Sequence, residues 1–345
     1  MARRADPTGL EGVLLLAKPP GPTSHDVVAL ARRLTGTRRI GHGGTLDPFA
    51  SGVLPLFLGG ATRLAEYHLG DRKGYRATIC FGASSTTDDL DGELTPSAGP
   101  MLSSATMEAA LGGFRGAIRQ RPPAFSAIQV GGRRAYAMAR AGMAPELGER
   151  AVTIHSLELV AWNSDDPARP IAIVDLECSA GTYVRALARD LGVALGSGAY
   201  LGALVRTASG PFRLEHAISL DALRSAAAAG TVAGLLLPAD VGLEAMASVR
   251  LAEDEVRDAA MGRFVRPVAG LAGLPRDEPI RLLDGDGRIV GIGTVDGRRI
   301  SPTKMLPTAV ATTTAVAPTT AATPTTAVAP TTAAMPRGAR VRVDA

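Results

Sequence analysis

Apolar and polar positions alternate in short blocks over the first eighty residues. Residues 12–17 predict a strand, ended by the turn Lys18-Pro19-Pro20-Gly21-Pro22. Thr23 or Ser24 can cap the helix that follows, and Val27, Leu30, Ala31 and Leu34 form its apolar face. Residues 53–58 predict a buried strand and 61–69 a short helix. From 75 to 81 the pattern has period two: Tyr75, Ala77, Ile79 and Phe81 face one side, Arg76, Thr78 and Cys80 the other. Helices are expected over 103–112 and 133–142, and strands over 152–160 and 171–178. In the last of these, Val174, Leu176 and Cys178 alternate with Asp175 and Glu177. Residues 182–195 predict an amphipathic helix entered through Ser179-Ala180-Gly181. Strands and helices mix without a regular βαβ repeat, which predicts an α+β body.

The pattern changes near Leu237-Pro238, where this body, spanning 12–240, is expected to end. Residues 248–305 carry short apolar runs broken by Asp284-Gly285-Asp286-Gly287 and Asp296-Gly297, both hairpin-turn signals, and predict a small β-rich domain. From Thr308 to Ala334 only Ala, Thr, Val and Pro occur, and 313–324 repeats as 325–336 with one change. This repeat has no charge, no aromatic residue and too little apolar bulk to bury a core, so 308–345 is expected to be a disordered tail. Residues 1–11 are expected to be a disordered lead-in.

Composition sharpens this little. The 345 residues have a net charge of +4, and among 37 basic residues only Lys18, Lys73 and Lys304 are lysine. Arginine grips phosphate bidentately and stacks on bases, although a GC-rich genome would also supply it. Cys80 and Cys178 are far apart, and the five histidines show no ligand spacing. No disulfide framework, zinc motif, metal site or membrane span is expected, and the compartment should be cytoplasmic.

Four features carry candidate chemistry. The loop Gly41-His42-Gly43-Gly44-Thr45-Leu46-Asp47-Pro48 presents one carboxylate on a bare backbone. An aspartate in such a place is also a common turn residue. The helix entry Thr182-Tyr183-Val184-Arg185 sets an arginine at the positive end of a helix dipole, which a carboxylate partner such as Asp47 would explain. Between Ala109 and Pro145 no acid occurs, while Arg115, Arg119, Arg121, Arg133, Arg134 and Arg140 interleave with Phe114, Phe125 and Tyr136. This reads equally as an RNA surface or as a solvated face over core aromatics. The acidic run Asp88-Asp89-Leu90-Asp91-Gly92 lacks the closing Glu of a calcium loop and reads as a solvated loop.

Taken in order, these segments resemble the bacterial tRNA pseudouridine-55 synthases, the TruB family. The resemblance rests on 12–24, 41–52, Lys73-Gly74-Tyr75-Arg76, 122–140, Gly181-Thr182-Tyr183-Val184-Arg185 and 196–206. It implies the pseudouridine-synthase fold, a central mixed or antiparallel sheet flanked by helices, with a small C-terminal domain of the RNA-binding PUA type. The implied activity turns one uridine in the T-loop of tRNA into pseudouridine with no cofactor, no metal and no required protein partner, in a protein expected to be a monomer. The family's catalytic aspartate falls on Asp47, its stacking tyrosine on Tyr75, its substrate contacts on His42, Tyr183 and Leu204, and its carboxylate-pairing arginine on Arg185. Two departures stand out: Ala17 replaces an aspartate before the first Lys-Pro, and Gln129 replaces a lysine after Phe125-Ser126-Ala127-Ile128. Other readings are a non-catalytic tRNA-folding chaperone, a guide-RNA-dependent relative, and a glycoside hydrolase pairing Asp47 with Asp88, Asp89 or Asp91.

Overall fold

In the computed structural model, which describes residues 8–307 apart from 127, 131, 142 and 144–146, strand β1 (Gly12–Lys18) lies antiparallel to β3 (Ser51–Leu58). Its register sets Leu14 beside Leu56 and Leu16 beside Leu54. Between them run α1 (Ser24–Thr35) and the short β2 (Ile40–His42), which pairs with β3. Thr23 caps α1 by accepting from the Asp26 N–H, while the Asp26 carboxylate accepts from the Thr23 N–H. The β4 strand (Lys73–Phe81) follows, then the hairpin of β5 (Ala83–Ser85) and β6 (Leu94–Pro96), and α2 (Ser104–Leu111). Next come β7 (Gly116–Gln120), a second small hairpin of β8 (Gln129–Val130) and β9 (Arg133–Arg134), and α3 (Ala135–Arg140). Long β10 (Arg150–Asn163) and β11 (Ile171–Cys178) lead into α4 (Val184–Ala194), β12 (Ala199–Ser209), β13 (Phe212–Arg213) and α5 (Leu220–Ala228).

The main sheet runs β1-β3-β12-β4-β11-β10-β7, with β2 added on β3 and β13 on β12. Its pairs are antiparallel except β3–β12. The alternation read in β4 and β11 has its physical basis here. Ala77, Ile79, Phe81, Val174 and Leu176 share one core with Met107 and Leu111 of α2 and Leu187 and Leu191 of α4. Arg76 and Asp175 face the other side and pair at 2.7 Å.

Two expectations change, and one strand was not foreseen. Residues 61–69 form two 3-10 turns, Gly59–Arg63 and Ala65–His68, rather than one short helix. Their i→i+3 bonds, such as Leu64 N to Ala61 O at 2.9 Å, tighten the chain over the apolar cluster that takes in Ala61 and Leu64. The lead-in is already fixed at 8–11: the Thr8 hydroxyl lies 2.8 Å from that of Thr37, and Leu10 packs beneath α1. Strand β12, which no alternation announced, is central. Irregularities at 201–203 and 206–208 shift its phase, and a buried arginine, Arg206, occupies an inward position. The rest of the expected lead-in, 1–7, and the expected tail, 308–345, lie outside the described residues.

The C-terminal strands β14 (Ser248–Arg250), β15 (Pro279–Leu283), β16 (Ile289–Asp296) and β17 (Arg299–Met305) form a second, four-stranded sheet, with α6 (Glu253–Ala260) against it. The turns fall where Asp-Gly pairs signalled them. Val249, Val256, Ile280, Leu282, Val295 and Ile300 make this sheet's own core. Ile292 and Leu306, however, enter a cluster with Val13, Leu15, Phe57, Leu64 and Phe212 behind the main sheet. Among the described residues no helix is long and apolar enough to cross a membrane.

Candidate active site

The glycine-rich loop between β2 and β3 is held by three buried polar side chains. Ser24, the first residue of α1, donates to the Leu46 carbonyl at 3.1 Å and accepts from the Leu46 N–H at 2.9 Å. The Lys18 ammonium, at the end of β1, donates to the carbonyls of Pro19, Pro48 and Ala50 at 2.9, 3.1 and 2.7 Å. Arg206 reaches the carbonyls of Val53, Thr45 and Gly44 at 2.8, 3.3 and 3.1 Å. No carboxylate meets Arg206 in this set; backbone carbonyls and the Tyr75 hydroxyl solvate its charge instead. Burial pushes the Lys18 ammonium down to about 8, with nearby Asp47 opposing the shift and Arg206 adding to it.

Glycine is required at two of these positions. Gly44 has φ +124°, beside the Arg206 guanidinium. Gly52, at φ +118°, lies against β12 so closely that a Cβ would stand 2.3 Å from the Arg206 carbonyl oxygen. The loop therefore leaves the sheet along one path, and Asp47 sits half-exposed at its far side.

Arg185 meets Asp47 there. Its Nε lies 3.0 Å from Asp47 Oδ2, and its Nη1 lies 3.2 Å from Oδ2 of Asp89. The same guanidinium donates to the carbonyls of Thr87 at 3.2 Å and Phe125 at 2.9 Å. Both Arg185 and Asp89 are buried. Burial raises the Asp47 carboxyl above the ordinary carboxylate range; Arg185 pulls it back, and the charge of Asp89 pushes it further up. The arginine thus limits the rise without cancelling it.

Asp89 corrects the reading of the acidic run as a solvated loop. Its Oδ1 accepts from the Thr87 hydroxyl and from the Asp91 N–H, and its Oδ2 faces Arg185. Asp88, at φ +61°, pairs with Arg189 one turn further along α4, at 2.8 Å. The turn folds inward because two arginines of α4 reach out to it. The clue was available: one guanidinium has five donors, more than a single carboxylate can fill. Asp89 is no second catalytic acid of a glycosidase, since both its oxygens are engaged and it is closed to solvent.

The remaining expected residues cluster around this pair to different degrees. Tyr75 of β4 is registered beside Arg206 of β12, and burial pushes its phenol up to about 12. Leu204, two residues before Arg206, is buried in the core that includes Leu46. Tyr183 is the N-cap of α4 rather than part of its first turn. His42 accepts from the Gly44 N–H through Nδ1 at 3.3 Å and meets the ring of His25 edge-on at 5.6 Å. Burial, with His25 and Arg206 nearby, lowers its proton affinity. In the basic stretch, Arg115 and Arg119 pair with the flanking acids Glu108 and Glu149, Phe114 packs on the core, and Phe125 meets Tyr136 edge-on. A cleft of about 630 Å³, lined by Tyr75 together with Arg72, Glu158, Asp175, Glu177 and Arg213, includes neither Asp47 nor Arg185.

Two family models match most of the chain around this site. Residues 32–184 match the N-terminal domain of the TruB family pseudouridylate synthases, and 185–244 match the tRNA pseudouridylate synthase B C-terminal domain. The chain belongs to the TruB family. It is 45% identical over 289 residues to the tRNA pseudouridine synthase B of Synechococcus sp. (strain WH7803), covering 83% of this chain and 94% of that one. It is 42% identical over 302 residues to the namesake from Thiobacillus denitrificans (strain ATCC 25259 / T1), covering 88% and 98%. Among solved structures, an H/ACA ribonucleoprotein bound to a substrate RNA containing 2′-deoxyuridine superposes with a TM-score of 0.64 at 24% identity, over 86% of this chain and 84% of that one. That likeness bears on the fold, and it identifies this TruB chain as a pseudouridine-synthase fold.

Proposed function

We propose that this chain isomerises uridine 55 in the T-loop of tRNA to pseudouridine, with Asp47 as its catalytic carboxylate. The observation that carries the assignment of Asp47 is its 3.0 Å pairing with buried Arg185 on a loop clamped by Lys18, Ser24 and Arg206. The similarity to tRNA pseudouridine synthases B over more than four fifths of the chain supports the substrate.

The chemistry needs no external reactant. The C1′–N1 bond breaks, the uracil turns, C1′ bonds to C5, and the C5 proton leaves as N1 gains one. Asp47 either attacks C1′ or removes the C2′ proton; both routes need it ionised, and Arg185 favours that form. The target base must leave its stack, at a cost on the order of a few kcal/mol, and Tyr75 offers a replacement stacking face. His42, Tyr183 and Leu204 complete the contacts around the base. Exclusion of water prevents the opened glycosidic bond from hydrolysing. The second sheet serves as a PUA-type RNA-binding unit. The enzyme acts as a monomer in the cytoplasm, without a cofactor or protein partner.

Unmodified tRNA carrying tritium at C5 of its uridines tests this with the full chain alone. Wild-type protein is expected to release the label and Asp47→Asn to release none. Binding of tRNA without release by the wild type would leave a folding chaperone as the better reading. Release only after other proteins or a guide RNA are added would favour the guide-dependent relatives.

A further inference from the structure

Gln120, the last residue of β7, is a buried polar side chain outside the set discussed so far. Its carboxamide makes two hydrogen bonds with one backbone unit. Oε1 accepts from the Tyr183 N–H at 3.1 Å, and Nε2 donates to the Tyr183 carbonyl at 3.3 Å. A side chain here forms the two-bond ladder that a neighbouring strand would otherwise supply.

The place of this ladder matters. Tyr183 is the N-cap of α4, and no side chain of its own caps the helix. The entry angle of α4 is therefore set from outside, at a point two residues before Arg185. The path to the reacting group is short: Gln120 fixes Tyr183, the first turn of α4 carries Arg185, and Arg185 grips Asp47 at 3.0 Å. Gln120 also marks the point where the chain leaves the sheet toward Phe125, whose carbonyl accepts from Arg185. Both ends of that contact depend on where β7 ends.

We propose that Gln120 is a positioning residue for the isomerisation: its two hydrogen bonds to the Tyr183 backbone aim Arg185 at Asp47. The inference rests on the function proposed above. Gln120 bonds neither Asp47 nor Arg185; it acts through the Tyr183 backbone, which leads into Arg185 two residues on. A space-filling core residue would affect folding without a specific kinetic signature.

The test uses Gln120→Met, which keeps length and bulk while removing both hydrogen bonds, and Gln120→Asn, which keeps the carboxamide but withdraws it by one methylene. Each is made alone and with Arg185→Lys, and tritium release from the same tRNA is followed across pH. With Gln120→Met we expect kcat to fall about tenfold or more while KM for tRNA changes less than about twofold. The acid limb of kcat should move to higher pH, because a misplaced Arg185 no longer holds the Asp47 proton affinity down. In the Arg185→Lys background the same substitution should cost little more, because the two act on one contact. The proposal is overturned if kcat and the acid limb are unchanged, if the losses multiply, or if KM alone rises. If Gln120→Met does not fold, Gln120→Asn is read by the same criteria; if neither folds, Gln120 is a folding residue and the proposal fails. Should wild-type protein release no tritium, the proposed function fails instead, independently of Gln120.

Discussion

Asp47 and Asp89 share one guanidinium: Arg185 stands 3.0 Å from the first carboxylate and 3.2 Å from the second. The two acids differ in exposure, with side chains 37% and 5% accessible, and this divides their parts. Asp89 is enclosed by its own turn and neutralises the buried arginine. Asp47, on the open side, is the one a ligand can reach.

Replacing Arg185 by lysine keeps the charge and loses the fork. A lysine ammonium cannot serve Asp47, Asp89 and two carbonyls from one plane. Hydrogen bonds to charged groups are worth about 1.5–3 kcal/mol, so turnover should drop roughly 10- to 100-fold, with unaltered tRNA affinity in a filter-binding assay.

The pH profile should carry the mark of burial. With the Asp47 carboxyl raised above its ordinary 3.8, mainly by burial, the acid limb of kcat should lie above that value. The negative charge of Asp89 contributes to the rise, so Asp89→Asn should shift the limb toward lower pH in single-turnover measurements. A shift the other way would mean that Asp89 acts mainly by holding Arg185 against Asp47.

Lys18 bears on stability. Its folded-state value of about 8 lies below the ordinary 10.5, so between these values the unfolded chain binds more protons than the folded one. The contribution of this group to stability therefore rises with pH across that window and is at its minimum below it. Urea unfolding of wild type and Lys18→Met at about pH 7 and about pH 10 should show the gap widening in favour of wild type at the higher pH. At the lower pH the variant should still be the weaker, having left three carbonyls without their donor.

Gly52→Ala is expected to be costly. The residue is held at φ +118°, with backbone atoms of Arg206 in the space a Cβ would take. Strained φ alone costs about 1–3 kcal/mol, and the collision with β12 adds to it. Thermal unfolding should show a drop of several degrees, and the detached loop should lose activity beyond what the lost stability explains.

Much of this molecule could be read along its chain, for identifiable reasons. β4 and β11 bury one face only, so their side chains alternate, and α1 carries its own capping box at Thr23 and Asp26. The pairing of Asp47 with Arg185 was legible through the order of motifs around it. β12 was hidden because Arg206 points inward and the strand slips phase twice. Asp89 was hidden because an acid paired across 96 positions of chain looks the same, in one dimension, as an acid in water. Gln120 was hidden for a related reason, since its partners are backbone groups, which have no letter in a sequence.

Ile292 of β16 and Leu306, the residue after β17, complete the apolar cluster behind β1 and β3. A chain cut before Ser248 would leave Val13, Phe57 and Phe212 as an open oily face under the very strands that carry Lys18 and anchor the Asp47 loop. The two sheets should therefore melt as one cooperative unit, and the smaller one is better regarded as the floor of the catalytic body than as a detachable appendage.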